Sequence, residues 1–513
     1  MHEHRLCSAL SCSFFALTPP FSCFSFIEKT FGQDSDSIHR CFSLARSFQA
    51  KTMVLERLNP AGEGIIADEN HELQIRYPSY RSNFLFRISF WRSIMNSETD
   101  LRRERSYNLI GYAIVKNDTI PDKKINQPHV FEAVFEKYAH RHNCIRKPPV
   151  FKVHIGEKIF SVKGFIFAQQ NSLSKCCAHV ALYSLIAGNN PLLEPSFAQM
   201  TKIVNGLNKN SLALEPKEIR KILDFYGLKY HDYYYTNKER NSLISGEISE
   251  KTIVPFNKLL YAGIESGAGA LAGFILPGGD GHIIPFYGHT FNKDTWVPDA
   301  EIAYFKTGQI KYSPSENWTS SFIGHDDNFG ANLCIPKLYL THKNVNYVIE
   351  IFKKGIVFSG VSAEILAYRL FFSIIKSVEL LNVWYQKTLS AFCSGRIVLR
   401  TVALNRAEYI RHLSHMEDWE KHQENNKIVD LLKKYLPSHI WLTEFSLPQL
   451  FPANERKVGE IIIDGTQLPS DLEPYKIFSA ARFPGRWYFP GSTDEPSFFH
   501  LESSLLSHTP NFS

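Results

Sequence analysis

The sequence contains no CxxC pair, so the spacing by which cysteines usually build a structural zinc site is missing. Its nine cysteines form no disulfide framework either. They are odd in number and sparse for 513 residues. Cys7, Cys12, Cys23 and Cys41 crowd the first 41 positions, and Cys144, Cys176, Cys177, Cys334 and Cys393 are scattered over the rest. Such usage favours a reducing compartment, and a cytoplasmic location is expected. No dense Lys/Arg stripe accompanies the net charge of +6, so nothing points to nucleic acid as a partner. No repeat or low-complexity tract appears. No run reads as a membrane span: the best stretch, Phe371 to Val383, is interrupted by Lys376 and Glu379 and flanked by Arg369.

What is present is ordinary globular material, 44% hydrophobic and 21% charged, in a chain long enough for about two to four domains. Composition divides it into four parts. Residues 1–52 read as a leader, disordered or absent from a mature protein that begins near Met53. The apolar stretch Leu6 to Phe26 imitates a secretion signal, but Pro19 and Pro20 and the lack of a small-residue cleavage site argue against one. Residues 53–149 read as a mixed α/β region, 150–340 as one domain, and 341–513 as a helical region ending in short strands.

In the mixed region, Phe84 to Phe90 is strand-like and Val130 to His140 has a helical pattern. The helix ends in His140-Arg141-His142-Asn143-Cys144. Histidines at i and i+2 do not share a helix face, so that run reads as a solvated helix end rather than a metal site. After Pro149 the pattern sharpens. Phe160 to Ala168 is a strand entering the polar turn Gln169-Gln170-Asn171-Ser172. Cys176 to Ala187 is an apolar helix stopped by Gly188-Asn189-Asn190. Helices are expected over Ser196 to Gly206 and over Pro216 to Tyr226, with Pro216 in a first turn and Gly227 past the end. Leu228 to Tyr235 is a strand and Val254 to Glu265 a helix. Three β-rich runs follow, Ala270 to Leu276, His282 to Phe291 and Thr295 to Pro298. Helices first and strands second make an α+β plan, a helical layer against a twisted antiparallel sheet. Beyond residue 340, Val361 to Ser390 reads as one long helix and Leu404 to Tyr435 as largely helical. Trp441 to Leu447 and Val458 to Ile463 read as strands.

A cysteine becomes a nucleophile when its thiolate is stabilised, and a helix N-terminus does so with unpaired N–H groups and its dipole. Cys176 and Cys177 stand at such a terminus, and Lys175 adds positive charge beside them. A base must reach the sulfur and a third group must hold the base. His282 opens a strand directly after the turn Gly278-Gly279-Asp280-Gly281. Asp299 lies seventeen residues further on, where a hairpin of the two strands would set its carboxylate beside the imidazole. Gln170 supplies a side-chain amide for an oxyanion, and the N–H of the nucleophile supplies a second donor.

The order Gln170, Cys177, His282, Asp299 resembles that of papain-like cysteine peptidases. It looks closest to the bacteriocin-leader peptidase and related bacterial families. Cys177-Ala178-His179-Val180-Ala181-Leu182 is similar to their helix start. Leu214-Glu215-Pro216-Lys217-Glu218-Ile219 with Gly227 is similar to their helix-to-strand step, and Gly281-His282-Ile283-Ile284-Pro285-Phe286-Tyr287-Gly288 to their histidine strand. The likeness covers roughly Gln169 to Ala300. It implies a papain-like fold and a thiol hydrolase acting on a protein or peptide without a cofactor. In that family the glutamine stands six residues before the nucleophile. Gln170 is six before Cys176 and seven before Cys177, so Cys176 remains the alternative.

The other conspicuous residues have plainer readings. His179, two residues along the helix from Cys177, is structural. His289, an odd number of residues from His282, faces the opposite side of the strand. His325-Asp326-Asp327, joined by His282 and His289, could hold a divalent ion, but a polar turn near the cleft is preferred. Tyr233, Tyr234, Tyr235 and Trp296 are sheet and core residues. Acyl transfer or deamidation of transglutaminase type, and an inactive papain-like binding module, are the competing functional readings.

Overall fold

The computed structural model describes residues 9–32, 35–137, 143–144, 148–204, 213–245, 253–276, 281–292, 296–304, 311–377, 383–416, 424–452, 455–470, 474–491, 498–502 and 509–512. The expected His140–Cys144 cluster and the turn 278–280 lie largely or wholly outside them. The architecture is mixed α and β, built on three large sheets whose strands pair antiparallel except where 311–314 meets 398–405.

The first sheet has seven strands in the spatial order 11–16, 52–57, 81–91, 109–120, 125–136, 158–167, 150–155. The described residues between 9 and 52, expected to be disordered, belong to this sheet and its covering helices. Ser11–Ala16 pairs with Thr52–Arg57, and the helices Cys23–Phe31 and Asp36–Ser47 bury Ile27, Phe31, Ile38 and Phe42 against one sheet face. The helix expected over Val130 to His140 is instead the strand Ile125–Glu136. Val130, Phe131, Ala133 and Val134 are buried on both sides of the sheet, and a strand covered on both faces loses the alternation that would reveal it. Glu132 within it accepts hydrogen bonds from the hydroxyls of Tyr112 and Tyr183. The last two strands of this sheet, Val150–Ile155 and Lys158–Phe167, lie past the boundary expected at 150.

The second sheet has seven strands, six of them in the order 330–336, 321–326, 281–290, 270–275, 345–351, 230–234, with the short strand 143–144 pairing off this path with 281–290. Its fifth member, Val345–Ile351, moves the expected end at 340 outward. The helix Cys177–Asn189 is apolar all round because it lies between two sheets: its residues share one core with Val134 and Ile166 of the first and Leu271, Ile283 and Tyr347 of the second. The helix Phe256–Glu265 covers the opposite face of the second sheet. Its C-terminal Glu265 reaches His289 Nε2 at 2.7 Å and Arg400 at 2.6 Å, tying this sheet to the next.

The third sheet corrects the expectation of a mostly helical C-terminal region. Val398–Asn405, His439–Ser446, Gly459–Asp464, Phe478–Phe483, Arg486–Pro490 and Phe498–Glu502 run side by side, extended by 311–314 and 301–302. Its interior holds a connected ionic set: Lys457 Nζ lies 2.7 Å from Glu444 and 2.6 Å from Glu460, and Arg482 bonds Glu460. The helices Gly360–Ser377, Val383–Cys393, Arg406–Ser414 and Glu424–Tyr435 accompany it. No helix among the described residues is long and apolar enough to cross a membrane.

Candidate functional site

The loop before the cysteines is held from below. Asn171 is fully buried, and its Oδ1 accepts the backbone N–H groups of Leu173, Ser174 and Lys175 at 3.0–3.2 Å. Its Nδ2 donates to Asp118 at 3.1 Å, and Ser174 Oγ donates to Glu69 at 2.7 Å. Ser172, at φ 56°, adopts the left-handed conformation that this tight turn requires, which costs about 1 kcal/mol or more for a non-glycine residue. Beneath lies Lys116, whose Nζ is 2.6 Å from Glu69 and 3.0 Å from Asp118. Glu69, Asp118 and His129 converge as metal ligands would, but that ammonium already fills the place of a cation.

Lys175 does not serve the thiols as expected. Its ammonium is buried between the rings of Phe131 (4.3 Å) and Phe197 (4.5 Å), 3.5 Å from Glu69. Burial pushes it below the usual lysine range.

Cys176 is the N-cap of the helix and Cys177 its first residue. Cys177 hydrogen-bonds to Cys176, and this, with His179 Nδ1 at 3.2 Å from the Cys176 sulfur, holds the Cys176 thiol well below its ordinary range. The same hydrogen bond, then burial and the charge of Asp327, push the Cys177 thiol up, while the N–H of Ile283 donates to its sulfur. His179, read from the sequence as structural, is thus an imidazole within reach of a cysteine sulfur. Counting from Cys177 obscured it, because the partner is Cys176, three residues back, where helix neighbours meet. Cys177 lines a cavity of about 10 Å³ with Ala168, Ser184, Ile283, His325 and Asp327, room for about one water molecule.

His282 stands on the neighbouring strand, and its carboxylate partners are not the expected one. Its Nε2 lies 3.2 Å from Asp326 Oδ2 and 3.5 Å from Asp327 Oδ1. Asp299 is exposed in a segment without strand structure. The physical reason is register: strand Gly281–Thr290 pairs with Ser321–Asp326, and residues 296–298 form no strand, so the carboxylate beside the imidazole comes from the end of that later strand. Burial alone would push His282 down, but the Asp326 hydrogen bond and the two carboxylate charges leave it raised. Burial likewise pushes Asp327 up, to about 7. Among the described residues, Cys177 makes no hydrogen bond to His282, and Nδ1 of His282 carries none.

Gln170 Nε2 donates to Asn328 Oδ1 at 2.9 Å, a bridge between the cysteine loop and the turn that follows Asp327. His325 is buried, pushed down to about 3 by desolvation, and accepts the N–H of Asn332 at Nδ1. His289, held by Glu265, is likewise outside the site. Comparison with protein-family models, with curated proteins and with solved structures finds no match.

Proposed function

We propose that the chain is a cysteine-dependent hydrolase of papain-like type, a peptidase or isopeptidase that acts through a thioester. One observation carries the reading. Cys177, at the N-terminus of a buried helix, lines a small cavity with Asp327, and Asp327 lies 3.5 Å from the Nε2 of His282, an imidazole also held by Asp326, whose Nδ1 has no hydrogen bond among the described residues. Cys177 attacks a peptide carbonyl. His282 takes the thiol proton on Nδ1 and returns it to the leaving amine. Asp326 orients the imidazole, in the place expected of Asp299. Gln170, tethered to Asn328, and the N–H of Cys177 face the oxyanion. The substrate is a protein or peptide, and no cofactor enters these steps.

A second reading, a binding module that has lost catalysis, is favoured by the missing Cys177–His282 hydrogen bond. Apo sites are often loose at this contact and tighten with substrate, which is why hydrolysis is preferred. Iodoacetamide labelling at pH 6 with a chelator present, followed by peptide mapping, tests the choice. An ordinary thiol, with a pKa of about 8.5, reacts slowly there. Rapid modification of one thiol of the pair is expected, and at Cys177, where burial and Cys176 raise the resting thiol, it should collapse in His282→Ala. Rapid labelling of Cys176 that depends on His179 instead would move the nucleophile by one residue, and uniformly slow labelling would leave the binding module.

A further inference from the structure

His282 faces two carboxylates at once, and among the described residues one of them has no hydrogen bond. Asp327 is 4% exposed, and neither of its oxygens finds a donor, although Oδ1 points at His282 Nε2 from 3.5 Å. Among the described residues, no lysine or arginine makes an ion pair with Asp326 or Asp327. When both carboxylates are ionised, a single imidazole leaves a negative charge in a largely dry place, and such a charge is costly unless a proton or a cation meets it.

The spacing of the three ligand atoms says which kind of cation. They lie within 4.8 Å of one another. Nε2 is 3.2 Å from Asp326 Oδ2 and 3.5 Å from Asp327 Oδ1. Charge-assisted hydrogen bonds between such groups close to about 2.7–2.9 Å, so both contacts are long. Two ligands each about 2.05 Å from a tetrahedral zinc ion stand about 3.3 Å apart. The observed separations bracket that edge. One nitrogen and two oxygens suit a borderline ion better than magnesium or calcium, which prefer all-oxygen shells.

We propose that His282 Nε2 and the carboxylates of Asp326 and Asp327 bind a zinc ion, with the fourth position open toward the thiols of Cys176 and Cys177. Zinc occupies the imidazole nitrogen that Asp326 otherwise orients, so the metal-bound form is an arrested state of the thiol centre. The binding itself does not depend on the hydrolase reading; the arrest does.

Calorimetric titration of zinc chloride into the full-length, untagged chain, with a competing chelator of known affinity, tests the site. One ion per chain is expected. Asp327→Asn and His282→Gln should each weaken binding at least tenfold, and Asp299→Asn should leave it unchanged. Asp327→Asn keeps the shape of the side chain, and without zinc it should melt no lower than wild type because it removes an uncompensated charge. With zinc, wild type should gain thermal stability and Asp327→Asn should not. Undiminished binding by both variants, or no stoichiometric binding by wild type, would overturn the proposal. Zinc binding with uniformly slow thiol labelling would leave the metal site standing and remove the hydrolase. Fast labelling that zinc fails to slow would refute the arrested state alone.

Discussion

Replacing Lys116 by methionine is the sharpest test of how the site is supported. The substitution keeps the apolar stem and removes an ammonium that lies 2.6 Å from Glu69 and 3.0 Å from Asp118, all three side chains being at most 1% exposed. The remaining nearby cation, Lys175, is 3.5 Å from Glu69 and makes no hydrogen bond through its Nζ. Burial pushes Glu69 up, and Lys116 and Lys175 more than offset this, so its carboxyl sits below the usual range. Without Lys116, two carboxylates share one poorly placed ammonium. Breaking a buried pair from one side costs about 3–5 kcal/mol. With a urea dependence of about 2 kcal/mol per molar, the unfolding midpoint should fall by about 2 M with an unchanged slope. Equilibrium unfolding followed by tryptophan fluorescence measures it, with Lys163→Met on the exposed surface as the control. A fall below about 0.5 M would refute the argument, because it would mean that water already serves these carboxylates.

Three further outcomes are expected. His129 is buried without a hydrogen bond and is pushed down to about 4, first by burial, so the folded state holds it neutral where the unfolded chain would protonate it. Its share of stability is full above pH 6.5 and is lost as pH falls toward 4, about 3 kcal/mol in all; His129→Leu should flatten that part of a stability-versus-pH curve, and an unchanged slope would count against a neutral buried ring. Gly164→Ala would set a Cβ 1.9 Å from the Phe135 carbonyl oxygen, so a loss of about 1–3 kcal/mol or more is expected in thermal unfolding, and a neutral result would mean that the strands 125–136 and 158–167 do not approach as described. Tyr183→Phe leaves Glu132 with one hydroxyl partner fewer in a buried place and should cost about 1–3 kcal/mol by chemical denaturation.

Much of this was legible in local pattern. The helix at Cys177 announces itself by a polar turn before it and Gly188-Asn189-Asn190 after it. Pro216 and Gly227 bracket the helix Pro216–Phe225, whose N-terminus carries a capping box of Glu215 and Glu218. The positions of Gln170, the thiol pair and His282 around one loop and one strand start follow from the same reading. What escaped depended on pairing between distant segments. The partner of His282 is set by which strand lies beside it, and a nearby carboxylate, Asp299, was the natural but wrong guess for a hairpin. The strand Ile125–Glu136 was hidden because both its faces are covered. Residues 11–47 lack the charge pattern of a surface helix pair, since phenylalanines 15, 21, 26, 31 and 42 stack among themselves and against the sheet.

The position of Val345–Ile351 bears on how the protein can be cut. It lies between Ala270–Ile275 and Tyr230–Tyr234, although in sequence it follows all the other strands of its sheet. A fragment ending at residue 340 would lose a strand from the middle of that sheet rather than from its rim. It would expose the full backbone edge of Ala270–Ile275, an apolar segment with no charge to deter a stranger. Such a piece is expected to recruit copies of itself through that open edge. Expression designs should therefore keep residues past 351, so that the sheet retains its penultimate strand.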